Sequence, residues 1–192
     1  MERAWQRMLS GRRLDLLDPS PFDVELDDIA HGLSRVARWN GQTVGAHPFS
    51  VAQHSILVLD LYRASHPTAG AAEQLYCLLH DAAEYVIGDL ISPFKAAVGL
   101  DYKALERRLE AAIHLRFGLP AQPDDALRRT IKTVDIEAAY WEATLLAGFD
   151  ETEAALYFGK RPAAQGPELI ARDASQAKAD FVDRFEALLD QV

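Results

Sequence analysis

Apolar residues change their period along this chain. Between Arg12 and Leu26 they alternate with polar ones, in Arg12-Arg13-Leu14-Asp15-Leu16 and again in Phe22-Asp23-Val24-Glu25-Leu26, on either side of Asp18-Pro19-Ser20-Pro21. Alternation flanking a proline-rich turn predicts a short N-terminal β-hairpin over 12–26. Downstream the spacing becomes helical. Asp27 or Asp28 opens a helix running to about Arg38, and Pro48, suited to a first helical position, opens another through Ala64. A third runs from about Ala69 to Ile87. Ser92-Pro93 fits the cap and first-turn proline of a short helix, Asp101 caps a helix that stops at Gly118-Leu119-Pro120, and Asp124 begins a long one ending near Gly148. A short helix near 150–158 and a terminal one from about Glu168 to Leu189 complete the chain, joined by a Gly/Pro-containing loop from Gly159 to Pro167. The pattern predicts one all-α domain over 1–192: a hairpin extension, a helical core over 29–146 and a C-terminal helix within 167–190.

Composition narrows what such a domain does. At 192 residues, 49% apolar and 26% charged, the chain is long enough to bury a real core. A net charge of -9 argues against tracking a nucleic-acid polymer, because that affinity comes from lysines and arginines displacing counterions. A small anionic substrate stays open, since a local arginine cluster suffices. The single cysteine, Cys77, excludes an internal disulfide and a cysteine-rich zinc site. No stretch has the length of a membrane span, and the N-terminus lacks an apolar signal core, so a cytoplasmic location is expected.

The chemistry lies in Leu75-Tyr76-Cys77-Leu78-Leu79-His80-Asp81-Ala82-Ala83-Glu84-Tyr85, where adjacent His and Asp interrupt an almost wholly apolar helix. Burying a carboxylate there costs several kcal/mol unless it is paired or metal-bound. Glu84, four residues after His80 and three after Asp81, projects from the same side of a continuous helix. Helical spacing puts His54 on the stripe of Val51, Val58 and Leu61, and Asp135 on that of Ile131, Ala138 and Ala139, so both point inward. Either residue alone reads more readily as a hydrogen-bonded core group. Two imidazoles and two carboxylates from three helices instead fit a divalent ion such as Mn, Fe, Co, Ni or Zn, with positions left for water and substrate. Cys77 among leucines reads as a buried neutral thiol and not as a nucleophile.

The order His, then His-Asp, then a distant Asp resembles the HD-domain superfamily of metal-dependent phosphohydrolases. Within it, the run His80-Asp81-Ala82-Ala83-Glu84-Tyr85-Val86-Ile87-Gly88-Asp89-Leu90-Ile91-Ser92-Pro93-Phe94-Lys95 is similar to the HD-x-x-E-x-x-x-x-D signature, followed by Pro and Lys, of bacterial 5'-deoxynucleotidases. Arg38-Trp39 matches that family's Arg-Trp pair upstream of the first metal histidine, with spacing one residue longer. The resemblance spans about Ile29 to Leu146 and extends equally to small phage-like enzymes that hydrolyse dATP.

The resemblance implies one divalent metal ion (Mn, Co, Zn, Fe, Ni or Mg) held by His54, His80, Asp81 and Asp135. It implies Glu84 as the base for the attacking water, and Asp89 as proton donor or as a steering partner of Glu84 and Arg38. Arg38 and Lys95 would neutralise phosphate oxygens, and Trp39 would wall the sugar in favour of 2'-deoxyribose. Lys160-Arg161 is a further candidate phosphate contact. The implied reaction is conversion of a deoxynucleoside monophosphate to deoxynucleoside and phosphate. A dNTP triphosphohydrolase and a non-catalytic helical metal-binding module are the alternatives. Only His114 lies between Asp81 and Asp135, which excludes the two-iron HD oxygenases, and there is no GYP signature of cyclic-dinucleotide hydrolases. Membership also implies at least a homodimer.

Overall fold

A computed structural model describes residues 4–89, 100–162 and 166–192. Eight α-helices among the described residues follow a two-stranded antiparallel sheet. Strands β1 (Trp5–Arg7) and β2 (Arg13–Asp15) pair with Gln6 opposite Leu14, whose side chain is buried. The hairpin therefore lies upstream of the predicted 12–26 span. Gly11, at φ 91°, allows the tight turn in which Met8 and Arg12 bond, while Ser20 caps a 3-10 turn over Pro21–Asp23 and removes the second predicted strand.

The central element is α2 (Val51–Ser65), capped by the Ser50 side chain on the Gln53 amide. It packs against α1 (Leu26–Leu33), α3 (Ala71–Leu78), α6 (Asp125–Leu145) and α8 (Ala174–Leu189). Val58, Leu59, Leu75, Leu78, Ile113, Phe181 and Phe185 are fully buried in this core, each worth about 1.5–3 kcal/mol relative to exposure. A smaller cluster of Tyr140, Trp141, Ala143 and Ala154 joins α6 to α7 (Glu151–Phe158), with Trp39, Phe149 and Phe158 packed on it. The remaining helices are α4 (Glu84–Ile87) and α5 (Leu100–Arg116). No helix among the described residues is long and apolar enough to cross a membrane.

Three predicted helices are shorter than their periodicity suggests, and the first two shortenings serve the site. The first ends at Leu33, not near Arg38, because the chain turns extended and bridges α2: Arg38 donates to the Phe49 carbonyl at 2.8 Å and Val51 to Val36 at 3.0 Å. The helix expected over 69–87 is broken at 79–83, where amides of Ala82, Glu84 and Tyr85 reach back three residues instead of four. The last helix begins at Ala174, where Asp173 caps it; the stretch before it is held by Gln53, which bonds the Ile170 carbonyl and the Arg172 amide. The predicted Ser92-Pro93 helix and Lys95 lie outside the described residues.

Gly32 sets the approach of α1 to α4. A Cβ there would sit 2.7 Å from Tyr85 Cβ and 2.8 Å from its carbonyl oxygen, contacts that backbone cannot relieve cheaply. Gly32→Ala should therefore destabilise the fold by about 1–3 kcal/mol, seen as a thermal midpoint lowered by about 2–4 °C per kcal/mol for a chain of this size. An unchanged melting curve would mean that α1 and α4 are not in this contact.

Candidate metal centre

The broken helix is what aims His80 and Asp81. Tightening the chain after Leu78 turns the two adjacent side chains toward α2 and α6, and His80 Nδ1 donates to the Cys77 carbonyl at 2.9 Å. His54, fully buried on α2, donates from Nδ1 to Glu142 Oε1 at 2.5 Å. With both Nδ1 atoms engaged, the two Nε2 atoms face each other at 3.2 Å. Asp135 Oδ1 stands 3.2 Å from His54 Nε2 and 3.8 Å from His80 Nε2; Asp81 Oδ2 stands 3.4 and 3.3 Å from them. These four side chains form a group able to hold a metal ion, their ligating atoms all within 4.8 Å of one another.

The donor set fits such an ion. Ligands roughly 2.0–2.2 Å from a cation stand roughly 3.0–3.4 Å apart at octahedral to tetrahedral angles, and most of the observed separations lie in that range. Metal-binding histidines characteristically donate their other ring N–H to a carboxylate or a carbonyl, which is what Glu142 and the Cys77 carbonyl receive. Charge points the same way. The buried Arg38 guanidinium is kept charged against burial by Glu142, Asp89, Asp81 and Glu84. With Asp135 added, negative charge exceeds positive in a nearly closed volume. The site opens on its carboxylate side, where Asp81 and Asp135 side chains are 22% and 16% exposed while His54 is sealed. Asp135 Oδ2 there meets the exposed Lys132 ammonium at 2.7 Å.

The neighbouring residues form a second layer around Glu142, which has no exposure and which the sequence reading did not single out. Its Oε2 accepts from Trp39 Nε1 at 2.8 Å and from Arg38 Nε at 3.2 Å; Arg38 Nη1 also meets Asp89 Oδ2 at 3.1 Å. Arg38 thus pairs with two carboxylates, through Nε and Nη1. Gly88, at φ 77°, ends α4 and returns the chain so that Asp89 reaches it. Glu84 is buried at the start of α4 and close enough to Arg38 to help hold its charge. The signal for Glu142 was its place seven residues after Asp135, two turns along the same helical face.

Trp39 is half-buried and packs against Phe149 and Phe158, both ring centroids at 5.7 Å. Its backbone is left-handed, φ 56° and ψ 29°, as is that of Asn40. A bulky side chain in that region costs about 1–2 kcal/mol. Elsewhere, burial pushes the Cys77 thiol up to about 12, which removes it as a nucleophile. His114 donates to the Ala121 carbonyl as a structural group. Arg161 is paired with Glu151 and lies over the Trp141 ring.

No family model matches the chain. It is 52% identical over 191 residues to an uncharacterized protein of Rhodobacter capsulatus, covering 98% of this chain and 97% of that one. It is 37% identical over 98 residues to the uncharacterized protein YfdR of Escherichia coli K12, covering 51% of this chain and 49% of that protein.

Burial opposes protonation of His80, but Asp81 and Asp135 outweigh it and push its pKa up to about 9; His54 is likewise raised, burial and Arg38 being outweighed by Glu142, Asp135 and Asp81. An entering cation must displace those protons, so its affinity rises with pH and levels off once the raised pKa values are passed. Below about pH 9, Mn2+ affinity should increase by about tenfold per pH unit for each proton displaced. Calorimetry at pH 6, 7 and 8 measures this; a pH-independent affinity would mean that the imidazoles are not ligands.

Proposed function

This chain belongs to one family with the Rhodobacter capsulatus protein, and we propose that it is a metal-dependent phosphohydrolase acting on nucleotides, with hydrolysis of deoxynucleoside 5'-monophosphates as its reaction. The observation that carries this reading is the convergence of two imidazole Nε2 atoms and two carboxylate oxygens on one point, exposed mainly at its two carboxylates, beside a partly buried arginine and a half-buried tryptophan. A structural metal site closes its ligand set and has no use for an open side.

A bound divalent ion supplies Lewis acidity at the phosphoryl group and a lowered pKa for the attacking water. His54 and His80 hold their lone pairs toward that ion through the Nδ1 bonds to Glu142 and the Cys77 carbonyl. Glu84, three residues beyond Asp81 and walled from bulk solvent, is the base that takes the proton of the attacking water, a role worth about two to four orders of magnitude in rate. Asp89 steers Arg38, its Oδ2 accepting from Nη1 at 3.1 Å. Arg38 then places positive charge at the site while its Nε and Nη1 remain bonded, and Trp39 forms the wall against which the sugar lies. The same residues account for discrimination against ribose if the indole occupies the space of a 2'-hydroxyl.

Metal-free protein incubated with dNMPs, NMPs and dNTPs plus Mn2+, Co2+, Zn2+ or Mg2+ tests the reading. Expected products are deoxynucleoside and orthophosphate, with Glu84→Ala lowering turnover by about 100-fold or more while metal content persists. Triphosphate released from a dNTP would replace the monophosphate reaction with the triphosphohydrolase one. No turnover with any nucleotide and metal would leave a helical metal-binding module.

A further inference from the structure

We infer that Glu142 is a positioning residue that joins the metal site to the Arg38–Trp39 turn, so that filling the site orders the turn; this rests on the metal reading above but not on any nucleotide. Glu142 divides its two oxygens between the two regions. Oε1 takes His54 Nδ1 at 2.5 Å, and Oε2 takes Trp39 Nε1 at 2.8 Å and Arg38 Nε at 3.2 Å. These donors come from α2 and from the segment before it, about a hundred positions away in sequence from their shared acceptor. A carboxylate with 0% exposure has no water to replace a lost partner, so its orientation is set by those donors together.

The turn needs such support. Two consecutive non-glycine residues, Trp39 and Asn40, hold left-handed backbone, a conformation that persists for a bulky residue where surrounding contacts over-determine it. The backbone offers the Gln42 amide to the Trp39 carbonyl at 2.9 Å and the Arg38 amide to Phe49 at 2.8 Å. The indole packs against Phe149 and Phe158, which also touch each other, and is held at its nitrogen by Glu142. An ion on His54 Nε2 stops the imidazole from rotating, which fixes Oε1; because a carboxylate is rigid, Oε2 is fixed with it, and so are the indole and guanidinium it holds. Metal binding and the shape of the sugar and phosphate side of the pocket are then one equilibrium.

Amide hydrogen exchange of the metal-free protein, with and without Mn2+ and read by mass spectrometry over 38–43, tests this without turnover. In wild type Mn2+ should slow exchange there by about fivefold or more, the low end of ordinary coupling between sites. Glu142→Gln keeps the shape but leaves one oxygen acceptor for three donors; it should lower Mn2+ affinity by about 10–100-fold and abolish the protection even at saturating Mn2+. Trp39→Phe removes the indole N–H together with part of the ring and leaves the His54 bond to Glu142 in place; it should keep Mn2+ affinity while losing most of the protection, and it carries the test if Glu142→Gln does not fold. Protection unchanged in either folded variant overturns the inference, as does Mn2+ binding to wild type without protection. Failure of wild type to bind Mn2+ overturns the metal reading and this inference together, whereas absence of nucleotide turnover touches neither exchange result.

Discussion

A fully buried carboxylate must be matched by donors or the fold does not tolerate it, and Glu142 is matched by three: an imidazole, an indole and a guanidinium. Much else follows from satisfying it. His54 is anchored through Nδ1, which leaves its Nε2 facing His80 and the two aspartates. Arg38 is drawn inward and, being charged, needs Asp89 as well. The segment before α2 has to run extended beside Phe49 to bring Arg38 and Trp39 within reach, and for that α1 has to stop at Leu33.

The second requirement is that adjacent residues of one helix serve the same point. In a regular helix His80 and Asp81 would diverge by about 100°. The chain resolves this by tightening between α3 and α4, where three-residue hydrogen bonds replace four-residue ones and the His80 ring bonds the Cys77 carbonyl. Local departure from helix geometry at a functional site is the usual place for it. Gly32 lets α1 lie against the resulting bend, and Gly88 turns the chain back so that Asp89 meets Arg38.

The hydrophobic core supplies the stiffness that this polar arrangement needs. Val51, Val58 and Leu59 on α2, with Leu75, Leu78 and Leu79 opposite, are sealed from solvent around His54. Packed cores resist small displacements, so ligand atoms separated by 3.2–3.4 Å keep their spacing. The smaller aromatic cluster plays the same part for Trp39, with α6 shared between the two: Asp135 faces one and Tyr140 and Trp141 the other.

The sequence by itself determined the helical class, the N-terminal hairpin as an element, the capped start at Asp124, and the grouping of His54, His80, Asp81 and Asp135, because caps, periodicity and buried polar residues are local signals read within a few turns; the helix it opened at Pro48 starts at Val51 with Ser50 as its cap. It also marked Arg38, Trp39, Glu84 and Asp89 through a resemblance carried by two separate contiguous motifs, Arg38-Trp39 and the run from His80 to Lys95. Only the tertiary structure decided which strand pairs with β2, where the third helix breaks, that the last helix starts at Ala174, and that Arg38 spends its charge on Asp89 and Glu142. Those outcomes depend on partners far along the chain. Hairpin pairing is settled by which segment reaches Leu14, helix breaking by the point on which His80 and Asp81 must converge, and the role of Glu142 by donors that come from another part of the chain. Periodicity places a side chain on a face, but what meets it there is a property of packing.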